Sequence, residues 1–294
     1  MNILITGGKG QLGTELIKCF ENGKTEIGTV DILNCENKIT SIDVDTLDIT
    51  NLSSVLELFE ENHYDCIINC AAYTNVDKCE TDLEIAFKVN ALGARNLAIA
   101  SEKVGAKLIH ISTDYVFSGE GTHPFVEWDD CDPQSIYGKT KYLGEQYVRE
   151  FCSRYFIIRT AWLYGYYGNN FVKTIMKAAK VRGELKVVDD QRGNPTNAAD
   201  LAHHILKLIT SQEYGIYHGT GTGECSWFDF ASKIVEYAKI DAIVNPCSTE
   251  EFPRPAKRPA YSSLENMMFK TTSGDEFRPW EQALQYFIEN YKEN

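Results

Sequence analysis

Residues 3–13 decide the fold, and they read Ile3-Leu4-Ile5-Thr6-Gly7-Gly8-Lys9-Gly10-Gln11-Leu12-Gly13. The apolar run at the start is typical of a short buried strand, and the residues after Gly13 have the pattern of a helix. Gly7, Gly10 and Gly13 stand three apart, a spacing that lets the backbone turn tightly and approach a pyrophosphate at a helix N-terminus. Strand, glycine loop and helix in this order predict a dinucleotide-binding unit.

Outward from this loop, strand and helix patterns alternate, which predicts an α/β fold with a Rossmann-type doubly wound parallel sheet. We expect further strands at 26–30, 43–50, 66–68, 108–111 and 156–158. The regularity loosens after residue 160. We therefore predict a dinucleotide-binding Rossmann domain over 1–165, to which 185–220 returns, with 185–188 rejoining the sheet. A smaller C-terminal substrate-binding part comprises 166–184 and 221–294.

Composition excludes several classes of protein. The formal net charge of −13 argues against a nucleic-acid partner, because phosphate binding needs a basic face. No apolar run approaches the length of a membrane span. The nine cysteines are scattered without a C-x-x-C pair or zinc spacing, which favours reduced thiols in a cytoplasmic protein. We predict no protein-built metal site.

An acidic residue follows the predicted second strand. Asp31 lies eighteen residues after Gly13, near the spacing at which a carboxylate accepts hydrogen bonds from an adenosine ribose. Such a carboxylate would repel a 2′-phosphate. The sequence therefore predicts NADH as the preferred cofactor, with NADPH possible but less favoured.

The residues predicted to carry the chemistry lie further along the chain. Ser135 to Lys141 has the pattern of a helix start, which places Tyr137 and Lys141 four apart on one face. A nearby ammonium group favours an ionised phenol, whose free pKa of about 10 is too high for a proton shuttle at neutral pH. An exposed Tyr–Lys pair is the alternative interpretation. Thr113, at the end of the predicted strand at 108–111, would join Tyr137 in donating to the oxygen of a reduced carbonyl.

In this order, Gly7, Gly10, Gly13, Thr113, Tyr137 and Lys141 resemble the extended short-chain dehydrogenase/reductase family over essentially the whole chain. Finer motifs resemble its nucleotide-sugar reductases: Gly10-Gln11-Leu12-Gly13, Ala71-Ala72-Tyr73-Thr74-Asn75-Val76-Asp77, Ser112-Thr113-Asp114-Tyr115-Val116-Phe117 and Arg258-Pro259-Ala260-Tyr261-Ser262. The resemblance implies reduction of the C4 keto group of dTDP-4-dehydro-β-L-rhamnose to dTDP-L-rhamnose. A homodimer is possible, and a need for a divalent metal stays open.

The resemblance also implies roles for individual residues. Tyr137 would donate the proton, Lys141 would lower its pKa and hold the nicotinamide ribose, and Thr113 would bind the reacting oxygen. The cofactor would be lined by Gly7, Gly10, Gln11, Leu12, Gly13, Asp31, Asp48, Ile49, Ala71, Ala72 and Tyr73, with Asn90 either a hydrogen-bonding link to the site or purely structural. The nucleotide sugar would meet Thr74, Val76, Asp114, Tyr115 and Trp162, and a cluster of prolines and cations that includes Arg258 would bind its diphosphate.

Two alternatives stay open. A nucleotide-sugar epimerase or dehydratase would share the fold, but a dehydratase is expected to carry an Asp-Glu pair after the threonine, where this chain has Asp114-Tyr115. A non-catalytic regulatory subunit, related to that of methionine adenosyltransferase, is the second alternative. Retention of Thr113, Tyr137 and Lys141 together argues against a purely binding role.

Overall fold

The computed structural model describes residues 1–292. Its strands are β1 (Asn2–Thr6), β2 (Lys38–Ile42), β3 (Cys66–Asn69), β4 (Lys107–Thr113), β5 (Tyr155–Thr160), β6 (Leu163–Tyr164), β7 (Glu184–Val188), β8 (Arg192–Gly193), β9 (Thr196–Asn197), β10 (Gly215–His218), β11 (Cys225–Ser226) and β12 (Ile243–Cys247). The α-helices are α1 (Gln11–Asn22), α2 (Leu52–Asn62), α3 (Val76–Cys79), α4 (Leu83–Phe87), α5 (Ala94–Val104), α6 (Ile136–Phe151), α7 (Phe171–Arg182), α8 (Ala198–Thr210), α9 (Trp227–Tyr237), α10 (Met267–Thr271) and α11 (Trp280–Asn290). A π-helical stretch, Lys88–Gly93, joins α4 to α5.

The main sheet has six parallel strands in the order β10-β5-β4-β3-β1-β2. From β1 the chain builds outward in both directions, so the strand order reverses between β1 and β3. The carboxyl ends of these two strands form the crevice in which doubly wound sheets bind ligands. This architecture confirms the predicted α/β class and its parallel Rossmann-type sheet.

Helices cover both faces of the sheet, because its strands are apolar on both sides. On one face α1 and α8 pack together, with Leu16 and Ile205 fully buried. On the other face α2, α5 and α6 cover a second core that contains Phe59 and Leu97. Because helices cover both faces of the sheet, the edge where the strands end is the part left open to a ligand.

A third apolar cluster lies in the C-terminal part of the chain. Tyr164, Phe230 and Phe287 are fully buried in it, and α7, α9 and α11 supply most of its residues. Ser226 starts α9 with a capping box, in which its hydroxyl accepts from the backbone of Asp229 and the Asp229 carboxylate accepts from the Ser226 backbone.

Two predicted strands at the start of the chain are wrong. Residues 26–30 form no strand, because Thr25 closes a tight turn by donating its backbone N–H and its hydroxyl to the Gly28 carbonyl at 3.0 and 2.8 Å. The second strand is β2, twelve residues later. Residues 43–50 form turns, since Thr46 donates its N–H to the Asp43 carbonyl at 2.8 Å. Side-chain and backbone bonds of this local kind compete with strand pairing.

The return of the chain to the main sheet differs from the prediction in one element. β10, which lies within 185–220, joins the sheet beside β5. The stretch 185–188 does not rejoin it: β7 pairs with β12 in a separate two-stranded sheet. The alternating apolar pattern of β7 suits either sheet, and its partner comes from a distant segment.

Three further findings concern residues 1–292 as a whole. All nine cysteines are free thiols. The described residues contain no group of three or more His, Cys, Asp or Glu side chains placed to hold a metal ion. None of the helices within that range has the length and apolarity needed to cross a membrane.

Candidate active site

A cavity of about 920 Å³ opens at the carboxyl ends of the sheet strands. It brings together most of the predicted site residues: Gly7, Gly10, Gln11, Leu12, Gly13, Asp48, Ile49, Ala71, Ala72, Tyr73, Thr74, Val76, Thr113, Asp114, Tyr115, Tyr137, Lys141 and Trp162. Asp31, Asn90 and Arg258 are outside its lining. Residues from segments more than two hundred positions apart therefore share one space.

The glycine loop forms a cradle that side chains would fill. Gly7 has a φ of +65°, and a Cβ there would lie 2.7 Å from the Ala71 backbone nitrogen. A Cβ on Gly13 would lie 2.3 Å from the Gly7 carbonyl oxygen. No side chain caps the start of α1, so its first N–H groups and its dipole face the cavity. This arrangement fits a pyrophosphate.

Asp43, which the sequence analysis missed, directly follows β2 and lines the cavity beside Asp48 and Ile49. Its carboxylate accepts the backbone N–H of Lys9 at 3.1 Å, which ties it to the glycine loop. Asp31 is exposed, in a short 3₁₀ helix before β2. The ribose-binding carboxylate was assigned to Asp31 because the second strand was misplaced. The correct signal was the acidic residue that directly follows 38–42.

The reactive side chains meet where α6 begins beside the end of β4. The Ser135 hydroxyl caps α6 by accepting the Gly138 N–H at 3.1 Å. The Thr113 hydroxyl donates to Asp114 Oδ1 at 2.9 Å and accepts the Tyr115 N–H at 3.3 Å. The rings of Tyr115 and Tyr137 stand edge to face with centroids 5.5 Å apart. Thr113, Tyr137 and Lys141 thus face the cavity from two rigid elements.

Burial dominates the ionisation of these groups. It raises the pKa of Tyr137 well above its ordinary value, while a hydrogen bond with Thr113 acts in the opposite direction. It lowers the pKa of Lys141 to about 8, against the attraction of Glu145. Lys141 Nζ donates to the Ile111 carbonyl at 2.5 Å. The net effect of burial on Tyr137 is opposite to the lowering predicted from Lys141, whose own contribution stays a prediction.

Two buried polar residues, Asp114 and Asn90, lie beside these side chains. Burial raises the pKa of Asp114 to about 6, and the hydrogen bonds of its carboxylate oppose that rise. Asn90 accepts the Tyr73 N–H at 2.8 Å and donates to the Tyr73 carbonyl and the Thr140 hydroxyl, each at 3.2 Å. Asn90 therefore clamps the loop after β3 to the residue beside Lys141, from outside the cavity lining.

The far end of the cavity has an aromatic wall made of Trp162, Trp227 and Phe171. The Trp162 and Trp227 rings stack with centroids 3.5 Å apart and planes 9° apart, and Phe171 lies 4.5 Å from Trp227. Sequence analysis missed Trp227 and Phe171, which are the first residues of α9 and α7. An aromatic residue at a helix start in this part of the chain was the available signal.

Arg258 lies outside the cavity lining and contacts it through Tyr115. Its guanidinium donates to the Tyr115 hydroxyl at 2.9 Å and to Asp77 Oδ1 at 2.8 Å. Arg254 lies 3.8 Å from the same Asp77 carboxylate. The carboxylate of Asp77 therefore partly neutralises the cluster of cations that was expected to bind a diphosphate. The sequence analysis quoted Asp77 within the motif 71–77 but gave its charge no role.

Comparison with known proteins gives a consistent result. The family described as RmlD substrate binding domain matches residues 1–293. A dTDP-4-dehydrorhamnose reductase from Aggregatibacter actinomycetemcomitans is 38% identical over 295 residues, which cover 96% of this chain and 96% of that protein. A crystal structure of a dTDP-4-dehydrorhamnose reductase from Clostridium acetobutylicum has a TM-score of 0.92 and 49% identity, and covers 98% of this chain and 99% of that one.

A second solved structure is that of the dTDP-4-dehydrorhamnose reductase from Bacillus anthracis in complex with NADP. It has a TM-score of 0.91 and 46% identity, with 98% of each chain covered. These matches span nearly the whole chain and confirm the resemblance that the motifs indicated. The chain belongs to the RmlD substrate binding domain family.

Proposed function

We propose that this chain catalyses the reduction of the C4 keto group of dTDP-4-dehydro-β-L-rhamnose to dTDP-L-rhamnose, with a reduced nicotinamide cofactor. The observation that carries the proposal is the placement of Thr113, Tyr137 and Lys141 in the same cavity as the glycine loop. The reductases from Clostridium acetobutylicum and Bacillus anthracis support it at 49% and 46% identity.

The residues present fit a nicotinamide dinucleotide. Backbone N–H groups at the start of α1 would hold its pyrophosphate, and the absence of side chains at Gly7 and Gly13 allows the close approach. Lys141 would exchange its contact with the Ile111 carbonyl for the nicotinamide ribose hydroxyls. When bound, the cofactor supplies the hydride.

Tyr137 and Thr113 manage the charge that develops on the substrate oxygen. Tyr137 is a neutral phenol at the pH at which Lys141 is an ammonium, so it starts with the proton that the new hydroxyl needs. Thr113 would donate a second hydrogen bond to the same oxygen once its hydroxyl turns from Asp114. The positive charge of Lys141 would stabilise the Tyr137 phenolate that is left, until it regains a proton from solvent.

The part of the chain over 166–184 and 221–294, with Trp162, would bind the nucleotide sugar. A deoxysugar has an apolar face, which the aromatic wall can receive. Arg258 would orient Tyr115 and contribute positive charge for the diphosphate. Thr74 and Val76 line the same cavity and would border the sugar.

For the cofactor, we propose a preference for NADH that rests on Asp43 rather than Asp31. Asp43 directly follows β2, the strand next to β1, and lines the cavity, so its carboxylate would accept from a ribose diol and repel a 2′-phosphate. Lys9, paired with Asp45 at the rim, would offset part of that repulsion. Reduction with NADPH should therefore persist at lower efficiency.

The test follows cofactor absorbance while purified protein is offered a panel of nucleotidyl 4-keto-6-deoxy sugars. We expect stoichiometric oxidation of NADH with the dTDP-linked substrate and an NMR spectrum of dTDP-L-rhamnose. A different C4 epimer would change the named product and keep the reaction class. Failure to oxidise NADH with every sugar of the panel would overturn the proposal.

A further inference from the structure

A buried carboxylate that the proposed chemistry does not use lies one helical turn beyond Lys141. Glu145 is on the same face of α6 and is 1% exposed. Its Oε1 accepts the Ser112 hydroxyl at 2.5 Å and Arg159 Nε at 3.0 Å. Its Oε2 accepts Arg159 Nη2 at 2.8 Å.

The partners of Glu145 belong to the strand ends that form the reactive site. Ser112 precedes Thr113 on β4 and lies opposite Arg159 on β5. Lys141 contacts the carbonyl of Ile111, the residue before Ser112. Glu145 therefore fastens the buried face of α6 to β4 and β5 directly behind the side chains that face the cavity.

Charge gives this arrangement a second consequence. Lys141 is 2% exposed, and a buried ammonium group is costly unless an anion lies close by. Two other titratable groups interact with it, and both are uncharged, since burial raises the pKa of Cys70 to about 12 and lowers that of His110. Glu145 is the remaining source of negative charge among the groups that act on Lys141.

We propose that Glu145, fixed by Arg159 and Ser112, is the counter-charge that keeps Lys141 an ammonium at the working pH, and so a positioning residue for the reduction. The catalytic part of this inference rests on the proposed function. The electrostatic part concerns only the folded chain, and it can be measured without any turnover.

The first experiment titrates the Lys141 side chain by NMR in cofactor-free protein, with the resonance assigned from Lys141→Arg. Glu145→Gln alone would leave Arg159 buried without a partner, so the test variant is Glu145→Gln/Arg159→Met. We expect the wild-type midpoint near about 8. The double variant removes one charge of each sign, but Arg159 is not among the groups that act on Lys141. The midpoint should therefore fall by roughly one pH unit, a tenfold change in proton affinity.

Two matched variants separate charge from packing. Ser112→Ala removes a hydrogen bond but keeps the carboxylate, and should leave the midpoint within about 0.3 pH units of wild type, the scale of a minor change in environment. Glu102→Gln alters another glutamate that accepts a serine hydroxyl, that of Ser153 at 2.8 Å, on a different helix. It should leave the midpoint unchanged. A double variant that folds and titrates like wild type would overturn the inference.

The second experiment measures kcat/KM against pH. The double variant Glu145→Gln/Arg159→Met should lose activity on the alkaline side about one pH unit earlier than wild type, a tenfold loss at a fixed alkaline pH. A purely structural Glu145 would lower the melting temperature and leave this limb in place. Wild-type protein that reduces no keto sugar would overturn the proposed function. The NMR titration would still decide whether Glu145 keeps Lys141 charged.

A conservative variant covers the case in which the double variant does not fold. Glu145→Asp keeps the charge and withdraws the carboxylate by one methylene from Ser112. We expect kcat to fall by roughly tenfold, as small misplacements of reacting groups do, with the alkaline limb unmoved. Wild-type kcat in Glu145→Asp would contradict the positioning role.

Discussion

The glycine loop and the aromatic wall line the same cavity but are built in opposite ways. The loop is one continuous segment, Gly7 to Gly13, which offers backbone N–H groups because four of its seven residues are glycine. The wall is made of large rings from three separate segments, Trp162, Phe171 and Trp227. Backbone recognition suits the invariant diphosphate of a cofactor, and shape recognition suits one particular sugar.

This contrast separates the effects expected from mutation. Variants of the loop should weaken cofactor binding and leave the affinity for nucleotide sugar intact. Variants of the wall should do the reverse. Tyr137 lies between the two regions and should affect the chemical step alone. The predictions below are arranged from the largest expected effect to the smallest.

Tyr137→Phe removes the proposed proton donor and keeps the ring that packs against Tyr115. We expect kcat to fall by a factor on the order of 10² to 10⁴, the usual contribution of a positioned acid. Cofactor binding, followed by the fluorescence of NADH, should stay within a few-fold of wild type. Near-normal turnover would show that another group protonates the sugar.

Gly7→Ala tests the loop, with Gly23→Ala as its matched control. Both glycines have a φ of +65°, but a Cβ at position 23 meets nothing within 4 Å. Each variant should lose about 1–2 kcal/mol of stability from the left-handed backbone alone. Only Gly7→Ala should also weaken NADH binding, by at least roughly tenfold, because its methyl group collides with the Ala71 backbone. Calorimetric titration and thermal unfolding measure the two effects, and equal NADH affinity in both variants would contradict the cradle.

Arg258→Ala and Arg254→Ala compare a bound and an exposed cation beside Asp77. Arg258 makes hydrogen bonds to Tyr115 and Asp77, whereas Arg254 is half exposed. Removing Arg258 should raise KM for the nucleotide sugar about tenfold, in the range of a charge-assisted hydrogen bond. Arg254→Ala should stay within about twofold, as an exposed ion pair contributes little. Steady-state kinetics at saturating NADH decides between them.

Trp227→Leu thins the wall without touching the reacting groups. An aromatic pair contributes about 0.5–1.5 kcal/mol beyond its buried area, so kcat/KM for the sugar should fall by roughly three- to tenfold. Trp280→Leu, in the adjoining apolar cluster, is the control for lost packing. It should lower the melting temperature with little change in KM. The reverse pattern would place the sugar away from the wall.

Asp43→Asn should give the smallest effect, a change of a few-fold in the ratio of kcat/KM between NADPH and NADH, since a half-exposed charge contributes roughly 0.2–1 kcal/mol. The ratio should rise, because the neutral side chain no longer repels a 2′-phosphate. Asp31→Asn, on the exposed 3₁₀ helix, should leave the ratio at its wild-type value. A response at Asp31 instead would contradict the placement of β2 next to β1.

The same contrast explains how far the sequence could be interpreted. The strand–glycine–helix order and the Tyr137–Lys141 spacing are local, and a local pattern determines which element forms and which face it presents. The second strand was misplaced because Thr25 and Gly28 close a turn within an apolar stretch. The sequence analysis assigned no role to Trp227 or Asp77, because their partners, Trp162 and Arg258, come from distant segments. Only the packed fold brings such residues together.

The pKa of Tyr137 is a related case. Spacing alone suggested that Lys141 would lower it, but spacing does not reveal how deeply the pair is buried. Burial acts on each group separately, raising the pKa of the phenol and lowering that of the ammonium. A reductase benefits from this outcome, because its donor must begin the reaction protonated.

The central claim is that the cofactor held by the loop delivers its hydride to C4 of a sugar held against the wall, where Tyr137 protonates the oxygen. The most direct measurement uses NADH deuterated at the transferring position of the nicotinamide and locates the label in the product by NMR. The account predicts dTDP-L-rhamnose with deuterium at C4 and one equivalent of NADH oxidised for each product formed. An epimerised keto sugar without deuterium, formed while NADH is not consumed, would contradict it and indicate an epimerase that recycles its cofactor.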